Sequence, residues 1–99
     1  MIRTDEHGNL YTIIGNSATF KLQDLPEKKG SLVCCFCGDT EVCKEYELSG
    51  QKEAIIKLTK QDIESIGTGI HPYYIDIISN DGEDVDTIVY QQISVFEKE

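Results

Sequence analysis

All four cysteines of the chain fall between Cys34 and Cys43, in the segment LVCCFCGDTEVC. Thiolates are metal ligands and nucleophiles, so chemistry would be sought here first. A structural zinc site takes four ligands in tetrahedral array, commonly as two short knuckles separated in sequence. Cys35-x-Cys37 is one such knuckle, and Cys43 stands alone. Cys34 is adjacent to Cys35, so on a strand the two point to opposite faces. If a hairpin closes around Asp39 to Glu41, Cys37 directly opposes Cys43 on the outer face, with Cys35 one pleat away. His71 would complete a ligand set only by arriving from elsewhere in the fold. The spacing rule for zinc is not met, and the expectation is no bound metal and no cofactor. Cys34 reads as a small buried hydrophobe, and the other three as surface or half-buried strand residues.

The other groups able to do chemistry are few. His7 sits in a turn, DEHGNL, and His71 precedes Pro72 at the start of a strand, where a structural role is expected. Asp81, Glu83, Asp84 and Asp86 lie close together but lack the spacing and closing Glu of a calcium loop, so they read as a solvated acidic turn. The segment IGTGIHP leads into a strand, whereas a phosphate-binding loop opens a helix. No nucleophile elbow or base-orienting residue is marked. The chain is read as non-enzymatic.

Composition narrows the partners. The 99 residues carry 18 acidic against 9 basic side chains, a formal charge of −9. Phosphate-backbone binding needs clustered Lys and Arg. The one basic cluster, EKKG, includes an acid, so nucleic acid is not an expected partner. The charge favours solubility and docking on a basic partner. No stretch reaches the roughly 18 apolar residues of a membrane helix. MIRTDEHGNL has acids and no apolar run, so no signal peptide is expected. Folding is therefore placed in the cytosol, where disulfides rarely persist. A Cys37–Cys43 bridge is expected only in an oxidising buffer. The length fits a single domain over residues 1–99.

The elements that must position these residues read mostly as strands, because the apolar period is two. In SATFKLQD, Ala18, Phe20 and Leu22 face one way. SLVCCFC places Leu32, Cys34 and Phe36 together. EVCKEYEL sets Val42, Tyr46 and Leu48 against Glu41, Cys43, Glu45 and Glu47. EAIIKL and HPYYIDII offer Ala54, Ile56 and Leu58, then Tyr73, Ile75 and Ile77. DTIVYQQISVF offers Ile88 and Tyr90, then Ile93 and Val95, with a change of phase across Gln91-Gln92 that a bulge there would absorb. SNDGE is a hairpin signal, since Asp-Gly suits a tight turn with positive φ. LTKQDIESIGTG reads instead as a short helical turn near Thr59–Ser65. Thr59 is its N-cap, Asp62 is at N3, Ile63 and Ile66 are its apolar side, and Gly67 ends it. Short strands at roughly 8–12-residue intervals predict a β-sandwich or barrel of about seven strands.

Three stretches resemble a known family. YTIIGNSATFKL is similar to the opening of small phage and prophage virion domains, with a strand, a Gly-Asn-Ser turn and an alternating strand. IIKLTKQDIESIGTGIHPYYIDI resembles their second half. There a strand ends in Leu-Thr, and a helical turn with an Asp, a glycine and a Tyr-rich strand follow. NDGEDVDTIVYQQISVFEKE resembles their closing hairpin. The family is the N-terminal domain of phage baseplate upper proteins, with related short prophage proteins, and the likeness runs from Tyr11 to Phe96. It implies an immunoglobulin-like two-sheet β-sandwich. It further implies a structural piece of a tail or baseplate, found in the virion and, during assembly, in the bacterial host cytoplasm. Partners would be other tail or baseplate proteins, or further copies within the particle. The family carries no catalytic residues.

The expectation is thus an all-β sandwich with one helical turn. Its core is Ala18, Phe20, Leu22, Leu32, Cys34, Phe36, Ile56, Leu58, Ile63, Tyr73, Ile75, Ile77, Ile88, Ile93 and Val95. The expected function is protein–protein assembly in a particle. Glu41, Glu45 and Glu47, with Lys44, would guard one edge against indiscriminate pairing, and the uncharged run from Thr87 to Phe96 would leave another open. The contact surface is therefore placed at Tyr90 to Ile93. Two other readings stay open: a thiol-based metal-binding module using Cys35, Cys37 and Cys43, and a carbohydrate-binding sandwich using aromatic residues. Fold alone does not separate the three.

Overall fold

The computed structural model of the chain describes residues 3–4, by their backbone, and residues 8–98. In chain order the strands are β1 (Arg3–Thr4), β2 (Leu10–Ile13), β3 (Ala18–Leu22), β4 (Lys29–Cys37), β5 (Glu41–Ser49) and β6 (Ala54–Leu58), followed by helix α1 (Lys60–Ile66) and strands β7 (Gly69–Ser79) and β8 (Val85–Phe96). Six strands form a mixed sheet in the order β1-β2-β8-β7-β4-β5, and β3 pairs with β6 in a second, smaller sheet. β2 runs parallel to β8, and the other pairs are antiparallel. The architecture is all-β with one short helix among the described residues, as the period-two pattern predicts.

Alternation decides which side chains meet. On β4, Leu32, Cys34 and Phe36 point inward, and the register places Ile77, Ile75 and Tyr73 of β7 beside them. From the small sheet, Phe20 and Ile56, a cross-strand pair, face this surface together with Ala18 and Leu58. Phe36 stacks on Tyr73 at 5.4 Å, and Phe20 meets both rings edge-on at 6.4 Å. Ile63 and Ile66 of α1 close the same core. Burying each such side chain contributes about 1.5–3 kcal/mol, so this cluster is the main favourable term in folding.

Local chemistry builds α1 as its sequence predicts. Thr59 Oγ1 accepts the Asp62 N–H at 3.1 Å, and Asp62 Oδ2 accepts the Thr59 N–H at 2.8 Å, a complete capping box. Gly67 ends the helix at φ 85°, and its N–H donates to the Ile63 carbonyl. The last turn also fixes the β4–β5 hairpin. Asp39 N–H donates to Ile66 O and Thr40 N–H to Ser65 O, both at 2.9 Å. Gly38 lies so close to the Ile66 carbonyl that any Cβ would collide with it.

That contact corrects the hairpin register. Cys37 pairs with Glu41, and it is Cys35 that faces Cys43. Gly38-Asp39-Thr40 form the turn because α1 holds their backbone, which local turn signals do not reveal. β8 also departs from expectation. The irregularity lies opposite Ile75/Asp76, where Ile75 pairs with Val89 and Asp76 with Thr87, rather than at Gln91-Gln92. Ile88 absorbs the extra residue, and Tyr90 consequently faces outward at 69% exposure. Leu22 and Ile88, expected in the core, are only partly buried, whereas Leu10, Leu25, Leu48 and Ile66 belong to it. Ile93 is fully buried between β2 and β7, so it is not part of a contact surface. Lys44 guards no edge, because it points inward and pairs with Asp62 at 2.7 Å. His7 lies outside the described residues.

Candidate functional site

The inner face of the large sheet is core, and no described element covers its outer face. The same alternation that buries Leu10, Tyr73, Ile93 and Val95 turns their neighbours out. At one end Tyr11 and Ile13 of β2 sit beside Ser94 and Phe96 of β8, and the Tyr11 and Phe96 rings stack at 6.4 Å. Ile70, Pro72 and Tyr74 follow along β7, paired with Ser94, Gln92 and Tyr90. Tyr74 and Tyr90 stack at 6.4 Å, 11° from parallel. Ile13, Ile70, Tyr90 and Phe96 are 41%, 66%, 69% and 54% exposed. Large contiguous patches of exposed apolar groups are a feature of contact sites. The sequence singled out Tyr90 by a different route, and did not single out Ile13, Ile70 or Phe96 as exposed. Their signal was present: each occupies the outward phase of a strand whose inward phase is apolar.

The thiols lie farther across this face. One cross-strand row reads Tyr90, Tyr74, Cys35, Cys43. Cys35 and Cys43 form a disulfide, with Cα atoms 4.1 Å apart. The expectation of reduced cysteines, and of Cys37 rather than Cys35 opposite Cys43, is thus corrected by the hairpin register. Cys37 is a free, half-buried thiol one pleat away, and Cys34 is a buried free thiol of the core. Burial pushes Cys34 up to about 12, so it stays protonated and inert. Glu41 joins the disulfide: ligating atoms of Cys35, Glu41 and Cys43 all lie within 4.8 Å of one another. Sulfurs bonded to each other are not thiolates, so this trio holds a metal only after reduction. The structure therefore brings together two of the three cysteines weighed as ligands, with a carboxylate in place of Cys37.

Several other polar groups have local partners. Partial burial, then the charges of Glu41, Cys37 and Asp76 and the neighbouring Tyr90, raises the Tyr74 phenol above its usual value. His71 Nε2 is 3.1 Å from the carbonyl oxygens of Gly67 and Thr68, a structural tie to the turn after α1. In the β7–β8 turn, Asp81 accepts from the Ser79 hydroxyl and the Glu83 N–H, which lower its pKa. Asp81, Glu83, Asp84 and Asp86 are all exposed. A shallow groove beside them is lined by Lys28, Lys29, Ile77, Ser79, Asp84 and Asp86, with Lys28 and Asp86 3.6 Å apart across it. No described helix is long and apolar enough to cross a membrane. What the outer face can do chemically is present an apolar, aromatic patch bordered along β5 by Glu41, Glu45 and Glu47. No protein-family model matches the chain, and no curated protein matches it.

Proposed function

We propose that the chain is a non-enzymatic structural protein of a phage or prophage particle, a tail or baseplate module that works by protein–protein contact. One observation carries the contact role: the open outer face of the large sheet, where Ile13, Ile70, Tyr90 and Phe96 stand exposed beside the stacked Tyr11 and Tyr74. A partner protein covering this patch would bury on the order of 1,000 Å² or more if the contact is specific. The placement in a tail or baseplate rests on the likeness of the three sequence stretches.

An immunoglobulin-like sandwich is the finer reading of the fold. In its favour, the sheet order β8-β7-β4-β5 opposite the pair β3–β6 follows the G-F-C-C′ and B–E arrangement of that fold. The helical turn between β6 and β7 then falls at the E–F corner. Mass spectrometry of particles purified from the source bacterium tests the function. The chain is expected at constant stoichiometry with tail proteins through successive purification steps. Its absence from intact particles would overturn the proposal.

A further inference from the structure

β5 ends the large sheet, with β4 as its one partner strand among the described residues. Its free side has a defined pattern. Opposed residues of antiparallel strands alternate between hydrogen-bonded pairs, with Cα atoms about 5.5 Å apart, and non-hydrogen-bonded pairs, about 4.5 Å apart. Cys35 and Cys43, at 4.1 Å, are of the second kind. The N–H and C=O of Cys43 therefore point away from β4, and so by alternation do those of Glu41, Glu45, Glu47 and Ser49. Gln51 bears this out independently. Its Oε1 accepts the Ser49 N–H at 2.7 Å, and its Nε2 donates to the Glu47 carbonyl at 3.0 Å. The Gln51 amide thus takes the place that a residue of an added strand would hold, and stops the edge at that end. Among the described residues, the edge is open from Glu41 to the Glu47 N–H.

The side chains of the open stretch decide what fits it. Glu41, Glu45 and Glu47 are exposed on the outer face, with Cys43 between the first two. The cation of this strand, Lys44, is on the other face and held by Asp62 at 2.7 Å. An added strand sets its own side chains directly opposite these, where opposite charges stabilise and like charges destabilise. A second copy of this chain, at net charge −9, would bring acid against acid. A basic strand would bring a cation to each glutamate. The edge is also held in shape for pairing. The Cys35–Cys43 bond ties it to β4, and Tyr46 Oη accepts the Lys57 N–H at 3.2 Å, tying it to β6. A preorganised edge loses little entropy on binding.

We infer that the β5 edge is a docking site for an extended basic segment of a partner protein, which adds to the sheet as a further strand. An antiparallel occupant places cations opposite Glu47, Glu45 and Glu41 and a small apolar residue opposite Cys43. Its pattern is basic-x-basic-x-apolar-x-basic. This inference is independent of the virion role, since the edge would accept such a segment in any setting.

The test uses the purified, oxidised chain and the blocked heptapeptide Lys-Thr-Lys-Thr-Val-Thr-Lys, followed by NMR. Binding is expected to protect the Cys43, Glu45 and Glu47 amide protons from exchange. N-methylating the third, fifth and seventh residues (Lys, Val and Lys), whose amides face the open part of the edge, is expected to weaken binding at least tenfold, while methylating the intervening threonines leaves it within about twofold. The triple variant E41K/E45K/E47K, with its melting checked, is expected to lose binding at least tenfold. Equal binding of both methylated peptides would mean charge attraction without strand pairing, and would overturn the inference. So would binding that survives charge reversal in a folded variant, no binding at all, or protection of the same amides by self-association without peptide.

Discussion

Phe36 and Phe96 are the same residue type on opposite faces of one sheet, and they make a matched pair for testing which face is core. Phe36 is fully buried, stacked on Tyr73 at 5.4 Å and edge-on to Phe20 at 6.4 Å. Phe36→Ala removes the ring from a cluster that cannot collapse without moving both sheets. Such truncations cost about 3–5 kcal/mol. Phe96 is 54% exposed and keeps one stacking partner, Tyr11. With roughly half of a full burial term at stake, Phe96→Ala is expected to cost about 1 kcal/mol. For a domain of this size each kcal/mol moves the melting midpoint by about 4–8 °C. The expected drops are therefore roughly 12–40 °C for Phe36→Ala and about 4–8 °C for Phe96→Ala. Thermal melts followed by circular dichroism, with urea midpoints as a second measure, read both. Equal losses, or a larger loss for Phe96→Ala, would refute the assignment of inner and outer faces.

Three further outcomes follow from single contacts. Gly38→Ala sets a methyl against the Ile66 carbonyl, and is expected to cost about 1–3 kcal/mol in urea unfolding by forcing the turn off α1. Cys43→Ser opens a bond between cysteines eight residues apart, and the chain-entropy relation puts the loss at about 2.5 kcal/mol; a dithiol reductant should destabilise the wild type equally and the variant not at all. Burial by itself would raise the Asp62 pKa, but the bonds from Lys44 and Thr59 outweigh it and hold the carboxyl below its ordinary 3.8. Because the folded pKa is depressed, this contribution is complete above the unfolded value and lost as pH falls through the folded one. Asp62→Asn should therefore lower stability by about 1 kcal/mol at neutral pH and flatten the decline below about pH 4.

What the sequence made legible was whatever local spacing controls. The α1 capping box, its two buried isoleucines and its terminal glycine are all within one short segment, and each stands where the residue types put it. The inward phases of β3 and β4 were equally readable, because Phe20 and Phe36 alternate with polar or small residues. The register of the β4–β5 hairpin was not, because Ile66 and Ser65, distant in sequence, hold Asp39 and Thr40. That two-residue difference moved the disulfide from Cys37 to Cys35. The outward turn of Tyr90 was hidden for a similar reason. Asp76 pairs with Thr87 and accepts its hydroxyl proton at 2.6 Å, leaving Ile88 as the extra residue. A run of apolar residues in β8 does not by itself say which one the partner strand will skip.

We propose that the open outer face is a contact surface rather than a weakly covered core. The double variant I70K/Y90K tests it, since both side chains are more than 60% exposed and neither belongs to the buried cluster. Its melting midpoint should match the wild type within the equivalent of about 0.5 kcal/mol per site. Quantitative mass spectrometry of purified particles should show its incorporation reduced at least tenfold. A variant that folds as well as the wild type and enters particles in equal amount would contradict the claim.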